Sequence, residues 1–146
     1  MGEATPRVLV LCTHNSARSQ MAEGFLRAFA GDRLEVASAG TEATRVHPLA
    51  IRAMDEVGVD LRGHASKTLD RFLGEPWDYV VTVCDQASEH CPLFPGPARR
   101  IHWSFEDPSA ASGSEEERLR VFRTVRDRIA QRLRAWLAGQ PDGQAR

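Results

Sequence analysis

Cysteine is scarce here, and the count is odd. Of 146 residues three are cysteines: Cys12, Cys84 and Cys91. Such a set is no disulfide framework; in a reducing compartment thiols this sparse do redox or nucleophilic work. No close C-x-x-C or H-x-x-x-H pair exists, so His14, His64, His90 and His102 add no recognisable zinc spacing and no metal is expected. Charge of one sign is lacking too, the formal net charge being -1. That balance gives no reason to expect nucleic acid or a membrane surface as a partner. No apolar run approaches the ~20 residues that span a bilayer. The start, Met1-Gly2-Glu3-Ala4-Thr5-Pro6-Arg7, has no apolar signal core, and Pro6 stands where a myristoylation signal needs Ser or Thr. A cytoplasmic monomer is expected. There is no internal repeat and no low-complexity linker, and 146 residues suit one domain with one core.

What is present is organised around one stretch, Val8-Leu9-Val10-Leu11-Cys12-Thr13-His14-Asn15-Ser16-Ala17-Arg18-Ser19. The apolar run rich in β-branched residues reads as a buried strand, about Arg7 to Leu11. A helix follows from about Ser19 to Ala30, with Met21, Phe25, Leu26 and Phe29 on one stripe. A loop this short can curl its backbone N–H groups into one concavity, a nest for an oxyanion. The helix behind adds its positive dipole end. Arg18 supplies a planar fork able to hold two oxygens of a tetrahedral anion. Thr13, His14, Asn15, Ser16, Ala17, Arg18 and Ser19 are therefore the candidate oxyanion-binding residues. Cys12, at the bottom of a positive bowl, is the candidate thiolate nucleophile. The plainer alternative is a buried cysteine at a strand end with Arg18 a surface cation.

The rest alternates strand and helix. Leu34–Ser38 reads as a strand. A helix opens at His47-Pro48 and is stopped by Gly58. Thr68–Leu73 reads as a short helical turn, Tyr79–Val83 as a clear strand, and Arg100–Trp103 as a weaker one. Ser114 to about Leu137 is a long helix, opened by a Ser114/Glu117 capping box. Residues 1–139 form the domain and 140–146 a frayed tail. The alternation predicts an α/β fold on a parallel sheet, with sites at the carboxyl ends of strands. Cys12 and Cys84 each directly follow an apolar strand, so parallel neighbouring strands would bring both sulfurs to one edge. Cys84 and Cys91 stand at i and i+7 across a polar, helix-compatible segment, which fits either a redox pair or a strand cap with an apolar filler. Asp107-Pro108 taken alone is an ordinary turn former.

Together these motifs resemble a known family. C-T-H-N-S-A-R-S-Q-M-A-E-G, V-T-V-C-D-Q-A-S-E-H-C-P and H-W-S-F-E-D-P are similar to the thioredoxin-coupled arsenate reductases, built on the low-molecular-weight protein tyrosine phosphatase fold. The resemblance runs from Val8 to the last helix. It implies a three-layer architecture with a four-stranded parallel sheet flanked by helices, and reduction of arsenate to arsenite. Cys12 would attack arsenate held by the loop and Arg18, with Asp107 as general acid. Cys84 would then attack Cys12, and Cys91 would attack Cys84, leaving a Cys84–Cys91 disulfide for thioredoxin to reduce. If the intervening segment is helical when reduced, its ends lie roughly 10.5 Å apart. A disulfide needs Cα atoms within about 4.4–6.8 Å, so the helix would have to unwind. No bound cofactor is implied.

Two alternatives accompany this reading. One is a plain tyrosine phosphatase using Cys12, Arg18 and Asp107, although Ser109-Ala110-Ala111-Ser112 offer no aromatic wall for an aryl substrate. The other is a non-catalytic oxyanion-binding redox sensor. The chain also departs from its relatives. Ala17 replaces a frequent cysteine outside the relay. His14 stands where glycine is common, at a strain cost if φ there is positive. Lys67 occupies the position of an aspartate that, in many relatives, helps hold potassium with residues matching Asn15, Glu23 and Ser38. Potassium is therefore not expected. The Lys67 ammonium is expected to act as a tethered cation on Glu23, Ser38 and Asn15, supporting the loop.

Overall fold

The computed structural model describes residues 5–85 and 91–139. The expected tail at 140–146 and the middle of the Cys84–Cys91 segment lie outside the described residues. Four strands form one parallel sheet: β1 (Arg7–Cys12), β2 (Glu35–Gly40), β3 (Tyr79–Thr82) and β4 (Arg99–His102), in the order β2-β1-β3-β4. The helices are α1 (Arg18–Ala30), α2 (Pro48–Asp55) and α3 (Glu115–Ala138). Short 3₁₀ turns occupy Gly31–Arg33, Leu69–Phe72 and Pro108–Ala110. Boundaries differ from the sequence reading by one or two residues except at α2, which ends at Asp55 rather than running to Gly58. Gly58 still marks the exit, since its φ of 81° is open to glycine at little cost.

Alternation along β1 divides the interior. Val8, Val10 and Cys12 face one core, shared with Met21, Phe25 and Leu26 of α1, Ala50 and Met54 of α2, and Leu119, Phe122, Ile129 and Leu133 of α3. Leu9 and Leu11 face the other, built with Ala39, Trp77, Val80 and Phe94 and flanked by Leu69 and Phe72. A central parallel strand buried on both faces must be apolar throughout, which is why residues 8–11 read as one unbroken run.

Caps and clamps set the helices. His47 caps α2, its Nδ1 accepting the Leu49 N–H at 3.0 Å. Ser114 and Glu117 complete the expected capping box on α3. Glu56, just past α2, receives Arg123 and Arg126 of α3. The Arg123 hydrogen bonds, with those of Arg126, hold its carboxyl down at about 2 against a desolvation cost that works the other way.

The order of strands decides where chemistry belongs. From β1 the chain first winds to β2 on one side, then crosses to β3 on the other. Such a reversal leaves a crevice at the carboxyl end of the central strand. Cys12 is the last residue of that strand.

Candidate active site

The loop between β1 and α1 is held from outside by its carbonyls. Thr13 O accepts from Glu42 N (3.1 Å) and Thr41 Oγ1 (3.0 Å). His14 O accepts from Ser66 Oγ (3.1 Å), and Ser16 O from His47 N (2.9 Å). These bonds, from Thr41 and Glu42, from His47 and from Ser66, fix the loop backbone from three separate segments. Helix α1 begins at Arg18 without a side-chain cap and with no acidic residue in its first turn, a setting in which a helix N-terminus favours an anion.

Asn15 takes the bend at φ 49°, the one positive φ of a non-glycine residue among those described. Asparagine tolerates this region better than most side chains. His14 is outside it, so replacing glycine there carries no backbone strain. The Asn15 amide is fully used. Its Nδ2 donates to Ser19 Oγ (2.7 Å) and Ser38 Oγ (3.0 Å), and its Oδ1 accepts from Gln20 Nε2 (3.0 Å) and Lys67 N (2.8 Å). Ser19 Oγ accepts from Asn15 and lies 2.8 Å from Cys12 Sγ, so its proton is available to the sulfur when Cys12 is a thiolate. Cys12 is buried and is a free thiol.

Arg18, also buried, donates to Phe105 O at 3.1 Å and lies 3.7 Å from Asp107 Oδ2. Asp107 Oδ1 accepts from Ser109 N (2.9 Å) and Ser109 Oγ (2.6 Å). The Phe105–Asp107 loop is thereby anchored to the Arg18 guanidinium. His47 borders this side; burial lowers its pKa, helped by Arg118 and Arg45 and opposed by Asp107.

Cys84 follows β3 and is fully buried, while Cys91 is partly exposed. The two form a disulfide with Cα atoms 5.8 Å apart. Val83 N donates to Leu11 O (2.9 Å), placing the ends of β1 and β3 side by side, so Cys12 and Cys84 emerge at one sheet edge.

Lys67 corrects one expectation. Asn15, Glu23 and Ser38 do converge, with Ser38 Oγ donating to Glu23 Oε1 at 2.6 Å. The ammonium, however, donates to Ala65 O at 2.7 Å rather than to those side chains. The reason is that Arg27 already pairs with the other Glu23 oxygen at 2.8 Å. Burial lowers the Lys67 pKa, against the pull of Glu23. Lys67 meets the loop through its main chain: its N–H holds Asn15, and its carbonyl accepts from Gly40 N at 2.9 Å. Three supporting residues escaped the sequence reading. Gln20 is buried and bridges Asn15 to Ala65 O, while its Oε1 accepts from His64 Nδ1 at 3.0 Å. Gly40 is packed directly under the loop. A glycine inside a strand signals such a close approach; nothing in the local pattern marks Gln20 or His64.

Residues 7–141 match the family described as low molecular weight phosphotyrosine protein phosphatase. The chain belongs to that family. Among its relatives, an arsenate reductase of Halalkalibacterium halodurans is 46% identical over 129 residues, 88% of this chain and 93% of that one. One from Bacillus subtilis is 45% identical over 127 residues, 87% and 91% of the two chains. Of solved structures, an arsenate reductase in the phosphate binding state superposes with a TM-score of 0.76 at 36% identity, over 91% of this chain and 97% of that one. A thioredoxin-dependent arsenate reductase of Corynebacterium glutamicum gives 0.65 at 29% identity, over 96% of this chain and 66% of that one. Within the low molecular weight phosphatase family, then, the relatives named here are reductases.

Proposed function

We propose that this chain reduces arsenate to arsenite by a relay through Cys12, Cys84 and Cys91, with thioredoxin as the terminal reductant. The observation that carries the reading is a free thiol in an oxyanion bowl beside a closed Cys84–Cys91 pair at the same sheet edge. A phosphatase has use for the first feature and none for the second. The names of the relatives support the substrate, and that of the Corynebacterium neighbour supports the reductant.

The steps balance. Arsenate binds to the loop amides and Arg18. Cys12 sulfur attacks arsenic, and one oxygen leaves as water with a proton from Asp107. Cys84 thiolate then attacks Cys12 Sγ. The sulfur–arsenic bond breaks, its electron pair stays on arsenic, and arsenite departs from a Cys12–Cys84 disulfide. Cys91 attacks Cys84, Cys12 leaves as a thiolate, and the oxidised pair becomes Cys84–Cys91. Ser19, held by Asn15, is placed to stabilise Cys12 as both nucleophile and leaving group. Cys84 is inaccessible, so an external dithiol meets the pair at Cys91. No helix among the described residues is long and apolar enough to cross a membrane.

The test is arsenate turnover with thioredoxin, its reductase and NADPH, with glutathione plus glutaredoxin in parallel. NADPH loss that depends on arsenate and thioredoxin supports the proposal. Hydrolysis of an aryl phosphate without arsenate-dependent NADPH loss would replace it with the phosphatase reading.

A further inference from the structure

His102 is exposed at the end of the edge strand β4, remote in sequence from the cysteines. Its backbone partner across the ladder is Thr82, and the two side chains meet, Thr82 Oγ1 to His102 Nδ1 at 2.7 Å. In the tautomer that carries its proton on Nδ1, that N–H donates to the Thr82 oxygen, whose own proton can turn to Ile101 O (3.5 Å). The other ring nitrogen, Nε2, is left with its lone pair. His102 and Thr82 line a cavity of about 220 Å³ that Cys91 also lines. Its remaining walls include Val80, Phe94 and Ile101, which supply no competing proton acceptor. Arg100, the cation on the lining, donates to Phe94 O (2.6 Å) and Gly96 O (3.2 Å), binding the segment after Cys91 to β4.

We infer that His102 is the base that takes the proton from Cys91 when that thiol attacks the Cys12–Cys84 disulfide. The inference rests on the relay proposed above. In that step the Cys91 S–H proton passes to His102 Nε2, the Cys91–Cys84 bond forms, the Cys84–Cys12 bond breaks, and Cys12 departs as a thiolate. No outside oxidant or reductant enters. Imidazole is the side chain suited to accept a proton near neutral pH. The need is real, because an unassisted thiol with the ordinary value of about 8.5 is only about 3% thiolate at pH 7. Loss of the base is thus expected to slow this one exchange up to about 30-fold at pH 7. Above about pH 9.5 the thiol ionises unaided and the loss disappears.

The experiment is a single turnover. Reduced protein is mixed with one equivalent of arsenate and no reductant, quenched in acid at intervals, alkylated, and its disulfides mapped by mass. In His102→Gln the Cys12–Cys84 disulfide and arsenite should appear at the unmodified rate. Conversion to Cys84–Cys91 should lag at pH 7, recover by about pH 9.5, and in His102→Ala be partly rescued by added imidazole. An unchanged conversion rate at pH 7 would overturn the assignment. So would a lag that persists at high pH and ignores imidazole, the mark of a structural role. If Cys91→Ser with arsenate never accumulates Cys12–Cys84, the relay itself fails and the assignment with it.

Discussion

Gly40→Ala tests whether the oxyanion loop works because its backbone is held in one place. Gly40 ends β2, opposite Cys12 in the ladder. A Cβ built there falls 2.6 Å from Thr13 O, 2.8 Å from Asn15 N and 2.9 Å from Cys12 O. All three are main-chain atoms, two of the loop and one of Cys12 at the end of β1, so no side chain can swing aside. Since ordinary Cβ contacts begin near 3.4 Å, relief of the Thr13 contact alone needs a shift of about 0.8 Å (3.4 − 2.6). The strand cannot yield instead: Gly40 N is bonded to Lys67 O, and β1 and β2 pair along their whole length. Overpacking of this kind costs about 1–3 kcal/mol of stability. A displacement approaching 1 Å at a reacting centre costs on the order of 10²-fold in rate. The expected outcome is a folded protein with a lowered Tm, and kcat/KM for arsenate down roughly 10²-fold. The assay is steady-state turnover with reductant in excess, beside thermal unfolding followed by circular dichroism. Activity within about twofold of the parent, where the expected loss is about 10²-fold, would refute the reasoning, since the loop would then tolerate displacement.

Cys12→Ser is expected to abolish arsenate reduction, and Asp107→Asn to slow it by about 10²–10⁴-fold, both read from single-turnover arsenite formation. Glu56→Gln should lower stability by about 1 kcal/mol, measured by urea unfolding, because a charged double contact to α3 is lost at a site open enough for solvent screening. The Glu56 carboxyl lies lower in the folded chain, at about 2 rather than 4.5, so its contribution is present above about pH 4.5 and is lost as pH falls toward 2. His47 also has a lowered folded pKa, so its contribution is present above the unfolded value of 6.5 and is lost as pH falls below it. His47→Asn, which keeps a capping side chain without the titration, should flatten the fall of Tm between pH 7 and 5. Lys67→Met should leave kcat/KM for arsenate little changed with or without potassium, because the contacts of residue 67 to Asn15 and Gly40 are main-chain; a large loss would show that the ammonium itself supports the loop.

Much of this arrangement is legible along the chain because it is local. The buried strand, the five-residue loop and the helix after it are contiguous, so Cys12, Arg18 and Ser19 announce themselves by spacing alone. The α3 capping box and the glycine beyond α2 are likewise short-range, set by φ preferences and by hydrogen bonds within four residues. Asp107 and Cys84 are less visible. Each is an ordinary residue after a strand until the parallel sheet brings strand ends together, and only the combined motifs gave them roles.

What the sequence by itself determined is the set of groups at hand: one thiol before a short loop, two further thiols, a carboxyl and a guanidinium, on a chain whose strand–helix alternation demands a parallel sheet. Tertiary structure decided who touches whom. Whether Glu23 meets Lys67 or Arg27 depends on a competition for one carboxylate, and Arg27, a turn along α1 from Glu23, takes it. Gln20 becomes a keystone because residues 65–67 fold back over the loop from fifty residues away. Gly40 matters because two strands pair in one register, and His102 because β4 lies beside β3. These are contacts between residues far apart in the chain, and periodicity and spacing carry no information about them.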